Sequence, residues 1–312
     1  MNLQVFDNFE VAGQAVLKFL HDRLGFELWM ITRIEGEDWI VLQAEDHGYD
    51  IKPGQVLRWA DSFCCHMVQG LTPRIAPCSD QVNLYAAAPI AQQINIKSYI
   101  GYPLLNESGK LFGTLCAIDP QPMPDSLMQE QKLVELLGGL LSLTLQNELK
   151  LAEHSRYLER LQAESCIDDL TQLYNERGWE KLLQAEEERS RHYGHYCAIY
   201  MLDLNGFKEI NSIYGRATGD ALLQRTAQTL KNNTGKNDII ARVGSDEFAI
   251  LKINVDKKQA DLFGQNVQEA LERVNVNISM GCAIRHPSTT LKLVQAQAEI
   301  LMQFNQQNNR QA

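Results

Sequence analysis

Between Leu133 and Ser165 one periodic pattern runs through the middle of the chain. Leu133, Leu137, Leu140, Thr144, Asn147, Leu151, His154, Leu158, Leu161 and Ser165 recur at alternating spacings of four and three residues. That spacing puts one stripe on an α-helix and is the seam of a heptad coiled coil, in which a polar residue such as Asn147 fixes register. The helix reads as a connector: 312 residues with 45% hydrophobic content suit two domains, each with its own core. Gly138-Gly139 and the wide Leu-rich face around Leu140-Leu141 favour packing of the first half of the helix on its own domain. From Leu151 onward the seam favours a parallel homodimer.

Charge divides the chain at the same place. Residues 1–150 hold 18 acidic and 10 basic side chains, a net of −8, against 21 and 19, a net of −2, in residues 151–312. The overall net charge of −10 leaves no electrostatic footprint for a polyanion, so no nucleic-acid partner is expected and any phosphate ligand must be held locally. Seven cysteines (64, 65, 78, 116, 166, 197, 282) show neither metal-ligand nor disulfide spacing, which reads as a reduced, cytoplasmic chain. The opening MNLQVFDNFE lacks the basic flank and apolar run of a signal peptide, and no segment approaches the ~18 apolar residues of a membrane span.

In the first half, an amphipathic helix (Val11 to Leu24) precedes FELWMITRI and DWIVLQAE, which read as paired strands around Glu35-Gly36-Glu37. SYIGYPLL and LFGTLCAID form a second strand pair across the turn Asn106 to Lys110. YIGYPLL, SGKLFGTLCAID and the upstream DSFCCHMVQG resemble a GAF domain, a sensory module, over residues 1–150. The resemblance implies a pocket for an unknown small ligand, with Trp59, Cys64, Cys65, His66, Tyr85 and Cys116 as candidate lining residues. The competing reading makes these cysteines small core filling.

The second half carries the chemistry. CAIYMLDLNGFKEIN is an apolar strand ending on Asp203, followed through Asn205-Gly206 by a short helix with Lys208 and Asn211. In RATGDALLQRTAQTL, Gly219-Asp220 opens an amphipathic helix that Asp220 is suited to cap. DIIARVGSDEFAILKI reads as a hairpin with Asp246 and Glu247 at its tip. Two adjacent acids on a tight turn repel each other unless a cation sits there. If their strands are neighbours, Asp203 and Asp246 converge on a hard-oxygen site suited to Mg²⁺, with substrate phosphates completing the shell.

IDDLTQLYNERGW, LDLNGFKEIN, YGRATGDALL and ARVGSDEFAIL follow one another as the motif series of the GGDEF domain, and residues 166 to about 302 resemble a diguanylate cyclase. The expected class is therefore α+β, with two domains: a GAF-like sheet domain (1–150) and a nucleotidyl-cyclase palm (166–312), joined by a long helix with a coiled-coil connector at 151–165. The resemblance implies condensation of two GTP into cyclic di-GMP with loss of two pyrophosphates, each protomer supplying half of a two-fold site. It assigns Asp203, the Leu204 carbonyl and Asp246 to Mg²⁺. Asp246, Lys208 and Glu247 are the catalytic candidates, Asp246 helping to ionise a 3′-hydroxyl whose ordinary pKa is too high. Asn211 and Asp220 read guanine, while Lys208 and Gly244 face phosphate.

Departures from the pattern keep a second reading open, a degenerate domain acting as a nucleotide-binding or protein-interaction module. Ser245 stands for a glycine that would serve positive φ or close approach of phosphate. The C-terminal pattern, laid on AQAEILMQFNQQNN, puts Phe304 and Asn308 where a lysine and an arginine would meet phosphates. Asn205, Ser212, Arg216 and Glu176 are smaller differences. Gly235 and Asp238 occupy an Arg-x-x-Asp product-binding step, without its arginine.

Overall fold

The computed structural model describes residues 6–287 and 289–311. The chain divides into two compact units, 1–154 with 192–194, and 155–191 with 195–312. Among the described residues no helix is long and apolar enough to cross a membrane.

The first unit opens with helix α1 (Phe9–Leu24), started by the Asn8 side chain accepting from Val11 N and stopped by Gly25 at φ 70°. Strands β1 (Leu28–Glu35), β2 (Asp38–Asp46) and β3 (Val56–Arg58) follow. After them come α2 (Phe63–Val68), β4 (Ile75–Ala76), α3 (Asn83–Ala86), α4 (Pro89–Gln93), β5 (Ser98–Leu105) and β6 (Leu111–Asp119). The strands form one antiparallel sheet in the order β3-β2-β1-β6-β5-β4. One face packs on α1 and the start of α5 (Gln131–Gln162), through Phe9, Leu17, Leu20, Trp29, Leu115 and Leu145. The other face packs on the short helices.

The first half of helix α5 packs on its own domain. Val134, Leu141 and Leu145 are buried in this core, with Leu133 and Leu137 packed against it, so the first two seam residues belong to the domain. The exposed leucines are Leu136, Leu140 and Leu143, then Leu151, Leu158 and Leu161, so the outer stripe shares Leu140 and the leucines from Leu151 onward with the expected seam. Which face the sheet takes is set by tertiary packing, and a leucine-rich helix has more than one apolar stripe to offer.

The second unit begins inside α5. It contains α6 (Glu176–Tyr193), β7 (Cys197–Leu204), α7 (Phe207–Tyr214), α8 (Arg216–Asn233) and β8 (Ile239–Arg242). Then come β9 (Glu247–Ile253), α9 (Lys257–Arg273), β10 (Ile278–Ile284) and α10 (Leu291–Gln311). Its antiparallel sheet runs β10-β7-β9-β8, with the wholly buried β7 in the interior. One core lies on each face, around Tyr200 and Phe248 on one side and Ile199 and Ala249 on the other. This is the α+β nucleotidyl-cyclase arrangement of a central sheet between helices.

Four charges fasten the last turns of α5 to α6. Arg156 meets the fully buried Glu186 with two hydrogen bonds of 2.9 and 3.0 Å, while Arg189 bonds Glu186 at 2.9 Å and Glu159 at 2.8 Å twice. Removing one partner of such a network strands a desolvated charge. Arg156→Ala is therefore expected to lower stability by about 3 kcal/mol, the low end for a buried pair because Arg189 remains. A urea midpoint within error of wild type would refute this.

Candidate functional site

β7 and β9 pair so that Asp203 stands directly across from Glu247, and Leu204 N donates to Asp246 O at 3.1 Å. The strand-end acid and the hairpin acids thus meet at one end of the sheet. Burial, followed by the charges of Asp203, Asp246 and Glu299, holds the Glu247 carboxyl above its usual range. The donors here are hard oxygens. Among the described residues no group of three or more His, Cys, Asp or Glu side chains is assembled to hold a metal. Carboxylate oxygens are the donor type that hard divalent cations such as Mg²⁺ take, one or two at a time.

The turn itself is held from outside. Arg242 Nη2 donates to Ser245 O at 2.6 Å, and its Nη1 meets Asp168 at 3.3 Å. Asp168 is in turn fixed by Thr171, whose N and Oγ1 donate to it at 2.8 and 2.6 Å. The IDDLTQ stretch is thereby a buttress for the hairpin, and Asp168 and Arg242 are functional neighbours that the motif reading left without a role. Neither Gly244 nor Ser245 has positive φ, so the serine costs the backbone nothing here. Its hydroxyl instead bonds Asp246 Oδ1. Asn205 has structural work as well: it accepts from Ser279 at 2.8 Å and donates to Asn277 at 3.0 Å, tying the end of β7 to β10.

Two residues past β7 the chain enters α7, which carries exposed Lys208 in its first turn and Asn211 one turn later. Gly215 breaks the chain between α7 and α8, so α8 starts at Arg216 and Asp220 lies inside the helix. Asp220 is therefore not a cap, as its sequence position suggested, but an exposed side chain of the second turn. Asn211 lies against Gly219, the residue before Asp220: a Cβ there would come within 2.0 Å of Asn211 Oδ1. Any larger residue there would displace the Asn211 side chain.

At the C-terminus the structure corrects the expected alignment. Phe304 is 60% exposed, and with Asn308 it lies on the side of α10 away from the acids. The residue that reaches them is Gln306, whose Nε2 donates to Asp203 Oδ1 at 2.6 Å. A register two residues later puts Gln306 at the lysine position, and the same spacing of four leads to Arg310, whose side chain lies outside the described residues. Without a charge to mark it, Gln306 gave no sequence signal.

Residues 6–145 match the family model of the GAF domain, and residues 165–312 match that described as "Diguanylate cyclase, GGDEF domain". The chain is a GAF–GGDEF protein. It is 28% identical over 181 residues to diguanylate cyclase DgcP of Escherichia coli K12, covering 58% of this chain and 53% of that one. It is 32% identical over 150 residues to the probable diguanylate cyclase DgcC of the same strain, covering 46% and 40%. The chain thus matches about half or less of the length of these relatives. Among solved structures, the GGDEF domain of DgcB from Caulobacter crescentus in complex with c-di-GMP is 20% identical, with a TM-score of 0.44 over 46% of this chain and 91% of that one.

The GAF unit of this GAF–GGDEF protein encloses an apolar cavity of about 20 Å³, lined by Cys64, Cys116, Tyr99, Phe63, Trp39 and neighbouring aliphatic side chains. That is room for about one water. Of the candidate lining residues only Cys64 and Cys116 border it; Trp59, Cys65, His66 and Tyr85 do not. Cys64 accepts from Tyr99 OH at 3.2 Å and is packed among aromatic rings, as core filling requires.

Proposed function

We propose that the second half is a diguanylate cyclase condensing two GTP into cyclic di-GMP, with the GAF half as its regulator. The observation that carries this is the meeting of Asp203 with Asp246 and Glu247 at the end of the β7–β9 pair. The approach of Asn211 to Gly219, the residue before Asp220, supports it, as do relatives named as diguanylate cyclases. In this reading Asp203, the Leu204 carbonyl and Asp246 hold Mg²⁺, which supplies charge neutralisation for the triphosphate and eases ionisation of the 3′-hydroxyl. Asp246, flanked by Glu247, takes the hydroxyl proton, and Lys208 faces phosphate with the Gly244 backbone beside it. Asn211 and Asp220 select guanine because adenine would leave their polar groups unpaired. A second protomer brings the second GTP. Incubation of the full chain with GTP and Mg²⁺, read by mass, is expected to give cyclic di-GMP. GTP binding without product would favour the interaction-module reading, for which the neutral Gln306 on Asp203 speaks.

Product feedback at the Arg-x-x-Asp position is not part of this function. The Asp238 carboxylate is 6% exposed and already bonded by Lys252 Nζ at 2.9 Å and Gly235 N at 2.7 Å. Calorimetry is expected to find no submicromolar cyclic di-GMP site there. Submicromolar binding that disappears in Asp238→Ala would overturn this.

A further inference from the structure

Asp203 is touched by a side chain from a helix that joins the sheet far along the chain. Gln306 reaches it from the last turns of α10, and those turns are fixed in place. At Gly281 a Cβ would come within 2.1 Å of Ala298 O and 2.3 Å of Met302 N, so the α10 backbone lies directly on β10. Ala298 and Met302 are buried in the core beneath, and Asn305 Nδ2 donates to Met280 O at 2.8 Å. Gln306, next in the chain, therefore delivers its amide from an anchored backbone.

The receiving residue, Asp203, is only 9% exposed. A carboxylate has about four lone-pair positions, and an amide hydrogen bond to one oxygen restricts its rotation while occupying one of them. Because the amide is neutral, it orients the carboxylate without cancelling the charge that attracts a cation. An ammonium at the same place would form an ion pair with Asp203 and compete with the metal until a triphosphate arrived to share it.

We propose that Gln306 is a positioning residue whose amide holds the Asp203 carboxylate in the orientation that takes a divalent cation, and so sets the affinity of the site for that cation. This rests on the reading of Asp203 as a metal ligand. Hydrogen bonds behind a metal ligand commonly govern affinity by 10- to 100-fold.

Mn²⁺ is the probe, titrated into the full chain without nucleotide and followed by the paramagnetic resonance signal of the free ion. Wild type is expected to show one saturable site that Asp203→Asn removes. Gln306→Leu should weaken Mn²⁺ binding about tenfold. Gln306→Asn, which keeps the amide but is one methylene short, should weaken it similarly and guards against misfolding of the leucine variant. Gln306→Lys should weaken nucleotide-free binding further yet lower KM for GTP, a split that a purely structural residue would not produce. If Asp203→Asn abolishes binding while Gln306→Leu and Gln306→Asn bind as wild type, the positioning role is refuted and the metal reading stands. If Mn²⁺ does not bind, or binds Asp203→Asn unchanged, the metal reading itself falls and the positioning role with it.

Discussion

Asp203→Asn and Asp246→Asn should each reduce cyclic di-GMP formation by ~10²-fold or more, since even changes behind a metal ligand cost 10- to 100-fold. The fold should survive. Glu247 faces Asp203 across the β7–β9 ladder, and burial together with the Asp203 and Asp246 charges raises its carboxyl above the ordinary range. An acid whose folded pKa is raised favours folding when protonated. Its contribution is present at pH below the unfolded value and is lost as pH rises through the folded one. At neutral pH the metal-free protein therefore carries a repulsion that either substitution relieves, and melting temperatures should equal or exceed wild type. Relief should fade toward acid pH. Wild-type turnover in either variant would remove the acid pair from the mechanism.

Leu158→Lys with Leu161→Lys should lower the dimer fraction and the turnover together. Leu151, Leu158 and Leu161 are 66%, 56% and 43% exposed along one stripe of α5, and lysines there would set like charges opposite one another in a parallel pair. The same turns hold Arg156 to Glu186 on their other side, so the substitutions leave the docked face of the helix untouched. Light scattering and activity measured across the same protein concentrations separate the cases. If turnover falls while the mass stays dimeric, the stripe is not the dimer contact.

The near-continuous apolar runs of β5 and β6, joined by a Gly-containing turn, mark their strands in the sequence, and both faces of the sheet are covered, as such runs require. The acid-tipped hairpin was equally plain, since Val-Gly-Ser-Asp-Glu interrupts two apolar runs. Features decided by tertiary packing were not legible. The stripe of α5 given to the sheet depends on the sheet, and α8 starts before Asp220 because Gly215 breaks the chain there. The contact from α10 went unseen for a different reason: glutamine carries no charge to betray it, and a helix of Gln and Asn offers no landmark against which to set a two-residue slip.

Grafting a foreign sensor onto the GGDEF half would have to respect the ion pairs at the end of α5. The GGDEF match begins at residue 165, but a cut there discards Arg156 and Glu159 and leaves Glu186 sealed with Arg189 alone. The transplantable piece is thus longer than the homologous one by about three helical turns. Any replacement sensor must end in a helix, in the one rotational phase that turns Arg156 inward and Leu158 and Leu161 outward.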